Sequence, residues 1–262
     1  MKTNANVQKS QASHWYTRTG EPCFEVPKVS GVGMKKTTIK EARALGLLPS
    51  TTTITRLLDK PALNQWITEQ AVLAVLTTPQ KPQERIDEFI QRVLHDEKIQ
   101  EQEAEKAAKR GSDIHDAIAS AIKGKPFDPQ WKGYVQSALS CLETLGKVVW
   151  IEKVVVGDGY AGRADICLEN DQNLIVLDWK SAKTLPKTDS WDEHKLQTAS
   201  YAATLGNTED KPILTANLYL STTVPGQTAF FVQDDWRRTY EEGFVPLLKV
   251  WRFLNEYPGG QP

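Results

Sequence analysis

The chain has 262 residues, of which 40% are hydrophobic, and a formal net charge of −1. This length suits one large domain, and the apolar content is ample for a core that needs no staples. The near-neutral charge excludes a basic field over the whole molecule, so any nucleic-acid binding must come from local patches.

The cysteines and the hydropathy pattern predict a cytoplasmic protein. Cys23, Cys141 and Cys167 are scattered and lack the spacing of a metal-binding or redox pair, which predicts reduced thiols. No apolar run approaches the ~20 residues that span a bilayer, and the N-terminus lacks the apolar core of a signal peptide. We therefore expect a soluble protein with no membrane partner, in the host cytoplasm if a phage encodes it.

The N-terminal part is predicted to be mainly helical after a segment of little pattern. Residues 1–36 are polar, with strand character only around Cys23 to Val26. Thr38 and Glu41 then form a capping-box signature for a short helix. Pro61 separates two further helical patterns, so residues 37–125 are predicted to be a mainly helical part.

A cluster of hydroxyl residues, residues 50–53, stands at the start of the first of these two patterns. One interpretation is that these side chains cap the helix. The other is that the hydroxyls of Thr52 and Thr53, with the free N–H groups of the helix start, receive a phosphate, and that Arg56 lies one turn inside on the same side.

A long helical pattern covers residues 83–122 and contains a candidate ligand. Ile114, Ile118 and Ile122 form an apolar stripe at intervals of four, and His115 lies beside it. A lone helical histidine is more often a packing or surface residue than a ligand. Gly111, four residues earlier, would let another backbone or a phosphate come close.

A helix from Pro129 to Leu145 and a strand from Val148 to Val156 are predicted next. The strand contains Glu152 among apolar neighbours. An unpaired glutamate facing inward would be costly there, so Glu152 either faces solvent or contributes a carboxylate to a metal site.

A β-hairpin follows, with strands from Tyr160 to Leu168 and from Leu174 to Ser181 and a polar turn between them. If the turn is centred between residues 171 and 172, Asp165 lies opposite Asp178 and Arg163 lies opposite Lys180. Opposed carboxylates repel and need a compensating cation.

A divalent metal is the candidate cation, because Mg²⁺ and Mn²⁺ prefer oxygen ligands. The period of a strand places Lys180 on the same face as Asp178, where its ammonium could orient a water and stabilise a phosphate under attack. The alternative is a solvated hairpin face. The apolar run before Asp178 argues against that alternative.

The last third of the chain is predicted to complete the sheet and the core. A helix places Gln197 and Tyr201 at i, i+4, on one face. Two strands, Ile213 to Ser221 and Thr228 to Val232, and an amphipathic helix from about Asp234 to Asn255 follow.

Four motifs in order resemble a known family. RGSDIH, GRAD, LDWK and QTASY, between about Arg110 and Tyr201, resemble the PD-(D/E)XK nuclease superfamily, in particular its RecB-like exonuclease branch. Alanine stands where the family name has proline. The resemblance implies an α/β fold with a mixed central β-sheet flanked by helices, a restriction-endonuclease-like core, and an N-terminal helical elaboration. Residues 37–262 would then be one nuclease domain, with residues 126–262 as its sheet-containing catalytic core.

The resemblance also implies roles for individual residues. The metal ligands would be His115, Glu152, Asp165, Asp178 and the backbone carbonyl of Trp179. The catalytic set would be Asp165, Asp178, Lys180, Gln197 and Tyr201, and the candidate substrate contacts are Arg163, Arg110, Arg56, Thr52, Thr53 and Lys183.

The implied activity is a metal-dependent DNA exonuclease of phage or bacterial recombination, repair or replication. It would use one or two Mg²⁺ or Mn²⁺ ions. No four-cysteine cluster or phosphate-binding loop is present, so neither an iron–sulfur cluster nor a nucleotide is expected. A structure-selective or restriction-type endonuclease and a non-catalytic DNA-binding protein are the alternatives. DNA is the expected partner, single- or double-stranded, and a single-strand annealing or binding protein is a further candidate; a monomer and an oligomer both stay open.

Overall fold

The computed structural model describes residues 14–58, 61–95, 98–206 and 211–258. Its N-terminal part consists of short elements: strands β1 (Trp15–Tyr16), β2 (Glu25–Pro27), β3 (Met34–Lys36) and β4 (Leu48–Pro49), and helices α1 (Ile39–Ala44) and α2 (Thr51–Thr55). β1 pairs with β4, and β2 pairs with β3, both antiparallel. Residues 14–36, which had no firm sequence prediction beyond strand character around Cys23 to Val26, thus contain three short strands, and the buried ring of Trp15 anchors this part.

Local sequence explains the two short helices. Thr38 and Glu41 form the predicted capping box at the start of α1, which ends ahead of Gly46, a residue with φ +62°. Ser50 caps α2 by accepting a hydrogen bond from the N–H of Thr53 at 3.1 Å. The capping interpretation of the hydroxyl cluster is confirmed.

Four helices follow: α3 (Pro61–Thr77), α4 (Ile86–His95), α5 (Lys98–Ile122) and α6 (Lys132–Leu142), the last preceded by a 3-10 turn. The predicted stripe of α5 is confirmed at Ile114 and Ile118, which are fully buried against one face of the central sheet together with Val135 of α6.

The central sheet is mixed and flanked by helices, as expected for an α/β fold. Its five strands, in the order in which they lie side by side, are β5 (Lys147–Gly157), β6 (Tyr160–Glu169), β7 (Leu174–Ala182), β8 (Ile213–Ser221) and β9 (Thr228–Gln233). Only the β7–β8 pair among them is parallel. Helix α7 (Asp192–Ala203) connects this pair and packs on the face opposite to α5 and α6.

The hairpin register is the predicted one, but the ladder ends earlier than expected. The pairs run from Glu169–Leu174 to Ile166–Leu177. The predicted pairs Asp165–Asp178 and Arg163–Lys180 lie beyond its last pair, because β6 and β7 separate at this point. Asp165 and Asp178 therefore lie just beyond the end of the ladder.

The C-terminal helix is interrupted by a π-helical turn. It consists of α8 (Trp236–Arg238), the π turn Thr239–Phe244 and α9 (Val245–Leu254). The turn lies directly ahead of Pro246, a residue without an N–H to donate. Phe244, Leu248 and Trp251 are buried, as expected for an amphipathic helix that completes the core.

Within the described ranges, no helix is both long enough and apolar enough to cross a membrane. All three cysteines are free thiols.

Candidate active site

Three elements bring a histidine and two carboxylates together. His115 of α5, Glu152 of β5 and Asp165 of β6 each offer one ligand atom, and these atoms lie within 4.8 Å of one another. His115 Nδ1 is 3.5 Å from Asp165 Oδ1. The burial of Ile114 and Ile118 fixes the rotation of α5 and so turns His115 toward the strands.

Glu152 has an unusual backbone. Its φ is +54°, in the left-handed region, which costs a non-glycine residue about 1–3 kcal/mol. It lies between the pairs Ile151–Ile166 and Lys153–Ala164, and therefore opposite Asp165. Its Oε2 forms an ion pair with Arg163 Nε at 2.8 Å, whereas its Oε1 is buried and has no hydrogen-bond partner. Glu152 faces inward, so its solvent-facing alternative is excluded.

Asp165 is held by the neighbouring strand. The backbone N–H of Trp179 donates to Asp165 Oδ2 at 3.0 Å, across the point where β6 and β7 separate. The fully buried Trp179 ring packs edge-on against His115, with 5.9 Å between the centroids. Trp179 thus supports two members of the cluster, and ligation by its carbonyl stays a prediction.

Asp178 and Lys180 lie on the same face of β7, as the strand period predicts. Lys180 Nζ is 2.5 Å from Asp178 Oδ2, in an ion pair that leaves this oxygen without a hydrogen bond of good angle. Asp178 Oδ1 accepts a hydrogen bond from Gln197 Nε2 at 3.1 Å. The same nitrogen lies 2.9 Å from the hydroxyl of Tyr201, so the predicted Gln/Tyr pair of α7 orients Asp178.

Burial and charge shift the ionisation of these groups in opposite directions. Burial raises the pKa of Asp178 to about 6, with the charge of Asp165 adding to the rise and Lys180 opposing it. Burial also raises the pKa of Glu152. For Asp165, burial is outweighed by His115, Lys180 and the Trp179 N–H, so its pKa is lowered.

The basic members of the site are shifted toward their charged forms. Burial alone would lower the pKa of His115, but the neighbouring charge of Asp165 outweighs it and the pKa rises. The pKa of Lys180 rises in the same way, because Asp178 and Asp165 outweigh its burial. Three carboxylates are therefore paired with three basic side chains: Asp165 with His115, Glu152 with Arg163, and Asp178 with Lys180.

The candidate substrate contacts lie around this site with different partners. Arg110 donates to the hydroxyl of Tyr134 at 2.6 Å, and Lys183 is exposed just after the end of β7. The hydroxyls of Thr52 and Thr53 each lie within 3.0 Å of the Ser50 hydroxyl. Contacts of these residues, and of Arg56 and Arg163, with a phosphate stay predictions.

One buried polar residue was missed by sequence reasoning. Asn217 of β8 is paired in register with Asp178, is fully buried, and has no hydrogen-bond partner for either side-chain atom. A single amide within the strand-like run ILTANLYLS was a weak signal, and only the parallel register places it beside Asp178.

Comparison with known proteins gives little. No family model matches the chain, and no curated protein matches it. Among solved structures, the chain is similar to one described as "Crystal structure of SSO0001", with 14% identity, coverage of 73% of this chain and 86% of that chain, and a TM-score of 0.33. A likeness this weak supports no argument about fold or function.

Proposed function

We propose that the protein is a metal-dependent DNA exonuclease with a restriction-endonuclease-like core. One observation carries the proposal: the His115–Glu152–Asp165 cluster lies beside the Asp178–Lys180 pair, and the N–H of Trp179 joins the two halves. Both halves lie where the β6–β7 ladder ends.

The donor set fits a divalent metal ion. One imidazole nitrogen and carboxylate oxygens suit Mn²⁺, and Mg²⁺ accepts the same carboxylates. The Oε1 of Glu152 is buried and has no partner in the protein, so it is suited to ligation. His115, Glu152, Asp165 and Asp178 would hold the ion. When bound, it would polarise the scissile phosphate and lower the pKa of a ligated water.

The remaining residues supply position and charge. The Lys180 ammonium, held against Asp178, would orient the attacking water and stabilise charge developing on the phosphate. Gln197 would keep Asp178 in place and is itself fixed by Tyr201. Arg163, which is paired with Glu152 through Oε2, would supply positive charge for a substrate phosphate beside the site.

Digestion of end-labelled single- and double-stranded DNA with Mg²⁺ or Mn²⁺ tests the proposal. Lys180→Met, which removes the ammonium but keeps an apolar stem, should lower cleavage by about 10²–10³-fold or more while leaving DNA binding largely intact. Metal-dependent cleavage at the wild-type rate in this variant would exclude the catalytic role assigned to Lys180. Circular DNA distinguishes an exonuclease from the alternative endonuclease, since only an endonuclease cuts a circle.

Metal binding can be measured independently of cleavage. Mn²⁺ at about 100 times its dissociation constant should stabilise the wild type by about 2.7 kcal/mol against thermal unfolding. Glu152→Gln should reduce this stabilisation strongly, because an amide is a poorer ligand. The matched control is Glu169→Gln on the neighbouring strand, where the carboxylate makes only a surface ion pair with Lys211. An equal Mn²⁺ shift in both variants would exclude Glu152 as a ligand.

A further inference from the structure

Basic residues from separate segments converge beside the candidate metal centre. Partial burial lowers the pKa of His14, and the positive charges of Arg56, Arg163 and Lys36 lower it further. We define the basic patch as the basic residues His14, Lys36, Arg56 and Arg163 together with Phe24, whose ring stacks on His14. Because the chain as a whole carries a net charge of −1, this positive field is a local feature.

The backbone explains how the patch is assembled. The N–H of Ser50 donates to the carbonyl of His14 at 2.9 Å, and Ser50 forms a bridge with Ala161, two residues before Arg163. Arg56 follows the last residue of α2, the helix that Ser50 caps. Arg163 in turn is bonded to Glu152 of the metal cluster, so the patch adjoins the candidate site.

An aromatic platform lies within the patch. The ring of Phe24 stacks on His14, with 4.5 Å between centroids and 30° between planes. It also packs edge-on against Tyr16 at 5.4 Å and 88°. Tyr16 is buried with Leu48 and Ala161, whereas Phe24 is 36% exposed. The Phe24 ring is therefore held from two sides while part of it stays open to solvent.

We propose that the basic patch binds an unpaired strand of the nucleic-acid substrate, with a base stacked on the Phe24–His14 platform and phosphates at Lys36 and Arg56. This inference rests on the proposed function and names its substrate class. Aromatic faces and cations together bind single strands, because an unpaired base has a free π-face. The bases of a duplex are stacked on each other and offer no face. Within the β2–β3 hairpin, the acidic residue nearest to Lys36 is Glu25, its partner in the strand register.

The test measures binding of fluorescent oligo-dT and of a blunt duplex hairpin by anisotropy, in EDTA so that no cleavage occurs. Phe24→Leu should weaken binding of the single strand by about 5- to 150-fold, the equivalent of one lost stacking contact, and change duplex binding less than about twofold. Phe24→Trp should retain the wild-type affinity. Phe253→Leu is the matched control, since Phe253 lies on α9 and is 81% exposed.

The phosphate contact is tested by the salt dependence of the same binding. Lys36→Ala should reduce the slope of log affinity against log salt concentration by about 0.7, one phosphate contact on a single strand. Lys147→Ala is the control: Lys147 is exposed and lies five residues before Glu152 on β5, about 16 Å along the strand.

Several results would overturn the inference: unchanged single-strand binding by Phe24→Leu, an equal loss for strand and duplex, or a Phe24→Trp variant as weak as Phe24→Leu. Cleavage with Mn²⁺ is assayed separately. If the wild type cleaves DNA but its single-strand binding does not depend on Phe24, only the stacking platform is excluded. Binding that depends on Phe24, in a protein that does not cleave, supports the platform and removes the nuclease proposal.

Discussion

The ion pair between Lys180 and Asp178 makes the pH dependence of stability a sensitive test of the site. Asp178 is 1% exposed and has a pKa of about 6, against an ordinary value of 3.8. Keeping it ionised at pH 7 therefore costs on the order of 3 kcal/mol, even with Lys180 in contact. Lys180→Met removes the main charge that opposes this cost, so the pKa of Asp178 should rise further.

The sign follows from proton linkage. A carboxyl group with a raised folded-state pKa contributes its full stability below the unfolded pKa, near 3.8, and this contribution is lost as pH rises through the folded pKa. In the wild type the loss is complete soon above pH 6. In Lys180→Met the loss of stability continues to higher pH, because the pKa of Asp178 is higher there. The difference in unfolding free energy between the two proteins should therefore grow by up to about 1.4 kcal/mol per pH unit between pH 6 and 8.

The assay is urea unfolding in EDTA at pH 5, 6, 7 and 8 for the wild type, Lys180→Met, Asp178→Asn and the double variant. The growing difference should disappear when Asp178→Asn is present in both proteins compared. Lys195→Met is the control, since Lys195 is paired at the surface with Asp189 and Asp192 and should give a small, flat difference over this range. A difference for Lys180→Met that is independent of pH, or that persists with Asp178→Asn, would refute the reasoning.

Two further predictions concern packing and capping. Gly162→Ala should lower the free energy of unfolding by roughly 1–3 kcal/mol and slow cleavage, because the new Cβ would lie 2.6 Å from Cε1 of the buried Tyr201 ring. Gly133→Ala, whose new Cβ would meet no atom of the described residues within 4 Å outside its own helix backbone and chain neighbours, should be neutral or stabilising. Equal urea midpoints for the two variants would contradict this prediction. Ser50→Ala should lower the unfolding free energy by about 1 kcal/mol through loss of the α2 cap. Ser137→Ala, which loses only a bond to a carbonyl within α6, should change it by less than about 0.5 kcal/mol, and a larger loss here than at Ser50 would count against the capping role.

Local patterns predicted what local physics determines. The capping box at Thr38, the stripe on α5 and the hairpin register all depend on residues close together in sequence, and the structure confirms each of them. The pairing of Gln197 with Tyr201 is local in the same sense. That Gln197 also contacts Asp178 follows only from the packing of α7 on the sheet.

Features set by tertiary packing could not be predicted in the same way. The left-handed backbone of Glu152 and its ion pair with Arg163 arise where β5 and β6 lie side by side, and neither residue type indicates them. Among the N-terminal strands, only the region of β2 was indicated by the sequence, because these strands are only two or three residues long. The placement of these strands depends on contacts with distant segments, such as those of Trp15 with Trp251 and Tyr257.

The early end of the hairpin ladder explains why an acidic site is stable in this fold. Had the ladder continued, Asp165 and Asp178 would have been direct neighbours on adjacent strands, with their like charges repelling. Because the strands separate, Asp165 turns to the Trp179 N–H and His115, and Asp178 turns to Lys180 and Gln197. Each carboxylate thus has its own cation and its own hydrogen-bond donor. The carboxylates that would hold a divalent ion are therefore already oriented by the fold. To bind the ion, His115 would have to lose its proton, and the charge of Glu152 would be shared between the ion and the guanidinium of Arg163.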